Sequence, residues 1–218
     1  MTTPLQWTLS NAQVAVEAVA TVAFALSGLV VAARKRLDAV GVVVVAGLAA
    51  FGGGTLRDVL LDRRPFFWVE HANWLWALLA LGAGAMAFMR ARHLALTERA
   101  IAWPDALGLG LFAAGGTQIA LDASMPAIVA VLMGMVTAVF GGVLRDIVCN
   151  EIPRAFSDHR PYAVCAFAGG WVVVGCEAAG LGASGALLAG VATATGLRAV
   201  AVLTGFTLPA WFSGEPPR

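Results

Sequence analysis

Gly53-Gly54-Thr55-Leu56-Arg57-Asp58-Val59 and Gly141-Gly142-Val143-Leu144-Arg145-Asp146-Ile147 are two versions of one pattern, with Arg57 and Arg145 separated by 88 residues. The same offset carries Glu17 onto Asp105, Phe24 onto Phe112, Gly28 onto Gly116, Pro65 onto Pro153 and Trp74 onto Tyr162. In both copies a pair of glycines and an Arg-Asp pair are embedded in a long apolar run. A charge at the centre of a bilayer costs about 2.5–3.5 kcal/mol on insertion scales, so ionisable residues in such runs mark function by default. Their recurrence at one offset points to an internal repeat within a membrane protein.

Composition agrees. Of 218 residues 60% are hydrophobic and 12% charged, 25 more are glycine, and the mean hydropathy is +0.82. Soluble domains run about 45–50% apolar with glycine counted and about 25% charged. Too few polar residues remain to cover a water-facing surface, which excludes a soluble enzyme, a disordered tail and a disulfide scaffold. At about 20 apolar residues per span, the length suits six or seven transmembrane helices. The formal net charge of +1 offers no basic field for nucleic acid. Cys149, Cys165 and Cys176 form no CxxC and read as small apolar residues, and His71, His93 and His159 are loop residues without ligand spacing. No Lys or Arg occurs in residues 1–13, the reverse of a cleaved secretory signal.

Seven apolar segments are expected to span: Val14–Ala33, Ala39–Leu61, Trp74–Met89, Ala106–Leu121, Pro126–Cys149, Pro161–Leu181 and Ser184–Thr204. Pro104, Pro126 and Pro161 read as helix starts, while Pro65 and Pro153 follow helix ends. Arg34, Lys35, Arg36, Arg90, Arg92, Arg99, Arg154, Arg160, Arg198 and Arg218 fall on one side of these spans, and Arg63 and Arg64 on the other. The positive-inside rule then puts the N-terminus outside and the C-terminus in the cytoplasm. Trp7, Trp68, Trp74, Trp76 and Trp103 sit mostly at span ends, as in an interfacial belt.

The expected architecture is an all-α integral membrane domain of seven helices. One repeat covers about residues 11–92, a second about 99–181, and a seventh helix about 184–204. Each repeat holds three spans, an odd number, so the second copy enters the membrane from the opposite side. Inverted three-helix repeats are an architecture of solute-moving proteins.

Gly52, Gly53 and Gly54 in span two, and Gly141 and Gly142 in span five, allow two readings. They can kink helices that line a path, since each glycine weakens a helix by about 1 kcal/mol relative to alanine. They can equally let helices pack closely. Arg57, Asp58, Arg145 and Asp146 are expected either to pair crosswise between repeats, Arg57 with Asp146 and Arg145 with Asp58, or to snorkel to the head groups. Glu17 and Asp105 read as solvated first-turn carboxylates. Ser27, Thr55, Thr117, Gln118 and Thr137 are candidates to line a wet path, although Ser and Thr also bond their own helix backbone. The chain shows no TVGYG-like filter, no HExxH and no cofactor fingerprint, so neither a metal nor a cofactor is expected.

Two three-helix repeats plus a seventh helix, with GGGTLRD at Gly52–Asp58 and GGVLRD…NEIP at Gly141–Pro153, resemble the prokaryotic trimeric intracellular cation (TRIC) channels, a group also described as glycine-transporter-like membrane domains. The resemblance covers nearly the whole chain. It implies a homotrimer with a pore in each protomer, flanked by kinked second and fifth helices, permeable to potassium or sodium in a bacterial inner membrane with lipid around it. Gly52, Gly53 and Gly54 match the first kink, and Gly141 and Gly142 the second. Lys35 is the single lysine, so the phosphoinositide-binding and voltage-sensing lysines of the animal branch have no counterpart. The alternative is a secondary carrier of glycine or another small neutral solute, because inverted repeats are common in carriers.

Overall fold

The computed structural model describes residues 10–88 and 98–209; Trp7, Met89, Arg90, Arg92, His93 and Arg218 lie outside them. Among the described residues the chain forms nine helices and no strand. They are α1 (Asn11–Arg34), α2 (Ala39–Leu60), α3 (Phe67–Glu70), α4 (Asn73–Phe88), α5 (Glu98–Asp122), α6 (Ala127–Val148), α7 (Arg154–Ser157), α8 (Ala163–Ala178) and α9 (Gly182–Thr204). Four of them, α1, α2, α6 and α9, are long and apolar enough to cross a membrane, and α4 and α8 are shorter apolar helices.

Local chemistry explains the boundaries. Ser10 and Gln13 close α1 with a capping box, the Gln13 N–H donating to Ser10 Oγ and the Ser10 N–H to Gln13 Oε1. Asp38 caps α2 by accepting from the Gly41 N–H at 2.8 Å. Such caps satisfy amides that a helix start leaves without partners. Beyond α2, Asp62 turns left-handed (φ 51°) and the Arg63 N–H returns to the Asp58 carbonyl at 2.8 Å. Beyond α6, Asn150 does the same (φ 55°) and the Glu151 N–H returns to the Asp146 carbonyl at 2.9 Å. The expected fourth span differs in one respect. Pro104 was read as its start, whereas α5 begins at Glu98 and carries Pro104 inside it. Proline there removes its bond to the preceding turn and crowds the carbonyl four residues back, and the helix nevertheless continues past it.

α2 lies against α6 and α1 against α5, while α8 and α9 pack on each other and on α5. The chain directions follow from the contacts. A Cβ on Gly53 would overlap the Thr137 carbonyl oxygen, and one on Gly141 would overlap that of Ala49. Position 53 of α2 therefore meets 137 of α6, and 49 meets 141, so these helices run in opposite directions. α1 and α5 do likewise: Gln13 reaches Asp122, Phe24 stacks on Phe112 with centroids 5.5 Å apart, and Ser27 reaches Asp105. Apolar residues from α1, α5, α6, α8 and α9 form one core around Phe24 and Phe112, and a second gathers at Phe51, Phe67 and Leu78.

Candidate functional site

Two buried ion-pair clusters lie on either side of the α2–α6 crossing. In the first, Arg57 is fully buried; its Nε and Nη2 donate to Asp58 Oδ1 at 2.9 and 2.7 Å, and its Nη1 lies 2.6 Å from Glu17 Oε1. Arg63 joins them, 3.7 Å from both Glu17 and Asp58 and 3.3 Å from Glu70. The second oxygen of Asp58 accepts from the Phe67 N–H at 2.8 Å, and the Phe67 ring lies under the Arg57 guanidinium. Glu17, Arg57, Asp58 and Arg63 sum to no net charge, which is how four ionised groups tolerate burial.

The second cluster repeats this with one change. Arg145 Nε donates to Asp146 Oδ1 at 2.8 Å, and its Nη1 donates to Asp105 Oδ1 at 2.8 Å and to Ser27 Oγ at 2.5 Å. Asp146 Oδ2 accepts from the Arg154 N–H at 3.0 Å. At the position equivalent to Arg63 stands Glu151, which is half-exposed and paired with Lys35 at 2.7 Å. That hydrogen bond holds the Glu151 carboxyl below the ordinary carboxylate range. One arginine therefore faces two carboxylates where the first cluster sets two against two.

Crosswise pairing does not occur. Each arginine folds back onto the aspartate beside it and onto the carboxylate of the preceding helix. Because α2 and α6 run in opposite directions, Arg57 and Arg145 each lie about six residues beyond the crossing, roughly 18 Å apart along the helices at 1.5 Å per residue. Nor do these charges snorkel, since Arg57, Asp58, Arg145 and Asp146 are at most 2% exposed. Glu17 and Asp105 are likewise buried inside the clusters rather than solvated, and Arg63 is buried rather than a loop charge. The signal for Glu17 and Asp105 was available in their shared offset, which places both one helix before an Arg-Asp pair. Arg63 offered none, being an ordinary basic residue after a span.

The glycines divide by face. Gly53 and Gly141 bring the α2 and α6 backbones together. Gly54 makes room for the Phe67 ring, and Gly142 faces Tyr162 and Arg145. Gly52 opens instead on an apolar groove of about 410 Å³ with Thr55, Trp68 and Leu144. Helical structure continues through all five. Thr55, Thr117 and Thr137 each donate to the carbonyl four residues earlier, and Thr55 also accepts from Trp68 Nε1. Gln118 bridges Asp122 and Glu177. Ser27 is the one candidate that belongs to an ion-pair cluster. Cys149 and Cys165 are buried and Cys176 is half-buried, all as free thiols. Among the described residues no group of three His, Cys, Asp or Glu is placed to hold a metal.

Long apolar helices packed through glycines around buried ion pairs define an all-helical integral membrane protein. The family described as "Glycine transporter" matches residues 14–92 and 102–178, and the chain belongs to this family. It is 34% identical over 194 residues to a UPF0126 membrane protein of Vibrio cholerae, covering 87% of this chain and 78% of the relative. It is also 35% identical over 158 residues to the UPF0126 inner membrane protein YadS of Escherichia coli K12, covering 71% and 73%. Its fold is that of the TRIC channels. A solved TRIC trimeric intracellular cation channel orthologue from Rhodobacter sphaeroides superposes with a TM-score of 0.84 at 34% identity, over 90% of this chain and 100% of that one. A second structure, described under conductance through TRIC cation channels, gives 0.81 at 28% identity over 93% and 98%.

Proposed function

We propose that the chain is a monovalent cation channel, permeable to potassium and working as a homotrimer with a pore in each protomer. The observation that carries this reading is likeness to solved cation channels along nearly the whole chain, at a TM-score of 0.84. The route runs between α1, α2, α5 and α6, closed toward one end by the Arg57 cluster and toward the other by the Arg145 cluster. Opening requires these pairs to part, with Gly52, Gly53, Gly54, Gly141 and Gly142 letting α2 and α6 bend. Ser27, Thr55, Thr117, Gln118 and Thr137 are the polar groups available along the helices. Lipid surrounds the trimer, and potassium or sodium is the permeant ion.

The architecture we infer is seven spans: inverted repeats at about 11–92 and 99–181, followed by α9. The two segments matched by the family begin 88 residues apart, the offset of the sequence repeat. Pairs of repeat-equivalent residues, Phe24 with Phe112 and Gly53 with Gly141, meet each other, as expected about a two-fold axis in the membrane plane. The orientation, N-terminus outside and C-terminus cytoplasmic in a bacterial inner membrane, fits two contacts. Lys35 with Glu151 joins the loops after α1 and α6, both assigned inside. Gln13 with Asp122 joins the start of α1 to the end of α5, both assigned outside.

Purified protein in liposomes under a potassium gradient tests the function. Potassium-driven dye response without uptake of labelled glycine is expected. Saturable glycine uptake with no ion leak would overturn the channel in favour of a carrier.

A further inference from the structure

Beside the Arg145 cluster, α5, α7, the Asp158–Arg160 turn and α9 surround an open cavity of about 400 Å³. Its charged lining is Asp105, Arg154, Asp158, Arg160 and Arg198, three guanidinium groups against two carboxylates. Asp105 is already engaged, its Oδ1 accepting from Arg145 at 2.8 Å. Asp158 forms long ion pairs with two of the arginines, 3.7 Å from Arg160 Nε and 3.7 Å from Arg198 Nη2, without a hydrogen bond to either. Arg198 is 5% exposed, and its buried Nε has no acceptor, although Nη1 donates to the Pro161 carbonyl and the guanidinium lies over the Tyr162 ring. A buried N–H without an acceptor is costly and calls for an explanation.

We propose that this cavity is a binding site for a phosphate group, held by Arg154, Arg160 and Arg198. With Asp105 committed to Arg145, Asp158 is the one carboxylate left facing Arg154, Arg160 and Arg198, so the cavity keeps an excess of positive charge for an anion. A phosphate monoanion or dianion supplies tetrahedral acceptors for their forked N–H groups, including Arg198 Nε. A lone carboxylate offers fewer acceptors and one charge. On the channel reading, which this step takes as given, the unliganded mouth repels cations, and bound phosphate cancels that excess beside the Arg145 cluster, with which the cavity shares Asp105.

The test uses the full chain in uncharged detergent, with radiolabelled inorganic phosphate in equilibrium dialysis. Saturable binding is expected, weakened about tenfold or more by Arg160→Gln and by Arg154→Gln, both at half-buried positions outside the ion-pair clusters. Arg198→Gln is a weaker probe because it also removes the contacts to Pro161 and Tyr162. Nanodiscs of phosphatidylcholine, with and without phosphatidylglycerol, identify the source of the group. Free-phosphate binding that persists in phosphatidylcholine discs and is competed away as phosphatidylglycerol is added assigns the site to the phosphate of an anionic lipid headgroup, and binding indifferent to phosphatidylglycerol assigns it to free phosphate. No saturable binding in either setting, or binding unchanged in both variants, overturns the proposal. Potassium flux raised several-fold by phosphate on both faces, and not in Arg160→Gln, is the expected consequence. Phosphate binding by a protein that passes no potassium would sink the channel and leave the site standing.

Discussion

Replacing Gly53 by alanine adds one methyl group where α2 and α6 touch. The new Cβ would overlap the Thr137 carbonyl oxygen and come 3.4 Å from the Gly141 nitrogen. Both neighbours are backbone atoms of an intact helix, so no rotamer change relieves the clash and the two helices must separate. Overpacking of this kind costs about 1–3 kcal/mol. Because the overlap is with backbone, the cost lies at the upper end of that range; alanine returns up to about 1 kcal/mol through its better helix propensity, which leaves a net loss of roughly 2 kcal/mol. For a chain of this size each kcal/mol moves the thermal midpoint by about 2–4 °C, so a drop of several degrees is expected. Gly175 provides the control, being helical with nothing within 4 Å of its added Cβ; Gly175→Ala should leave the midpoint unchanged or raise it. The assay is thermal unfolding of purified protein in detergent, followed by tryptophan fluorescence and by the size-exclusion peak. A Gly53→Ala protein as stable as wild type would refute the close backbone contact between α2 and α6, and with it their opposed directions.

Removing one member of a buried ion pair costs about 3–5 kcal/mol. Arg145→Gln and Asp105→Asn, measured singly and together by unfolding midpoint, should therefore be non-additive by about 0.5–3 kcal/mol. Arg57→Gln with Asp146→Asn should add within about 0.5 kcal/mol, because the two residues share no partner; coupling there would restore crosswise pairing. The Lys35–Glu151 bridge sets a small pH dependence. Its carboxyl pKa is depressed in the folded state, so its contribution is fully present above the unfolded value and is lost as the pH falls through the folded one. With both side chains over a third exposed, the effect is at most a few tenths of a kcal/mol after solvent screening. A Lys35→Met protein should lose this acid-side slope, read from midpoints at successive pH values. Phe112→Ala empties the stack against Phe24 and should cost about 3–5 kcal/mol, read as a lower unfolding midpoint.

The places of the apolar helices were legible because apolar runs of about 20 residues need no tertiary information, although α5 begins at Glu98 where the expected span begins at Ala106. α2 and α6 each stand within two residues of the expected spans, and α9 differs at its start by two. α3 and α7 were invisible: four-residue helices have no periodicity to read, and each is placed by the aspartate that accepts a backbone N–H at or beside its start. The 88-residue offset between the two Arg-Asp motifs was legible directly. What the offset alone withheld was which repeat-equivalent residues touch.

Pairing of the charges shows why. Sequence alone determined that Arg57, Asp58, Arg145 and Asp146 fall in apolar helices, where hydrocarbon cannot solvate an ion, and left open whether they pair or snorkel to the head groups. It also determined that Glu17 and Asp105 recur one helix earlier at the same spacing. Which carboxylate meets which arginine was decided by the opposed directions of α2 and α6, which carry the two arginines to opposite ends of their crossing. Arg63 and Glu151 make the same point. They occupy equivalent places in the two copies, yet one is drawn into a buried cluster and the other pairs at the surface with Lys35. That difference belongs to the tertiary structure, since burying a charge depends on partners that only the packed helices bring within reach.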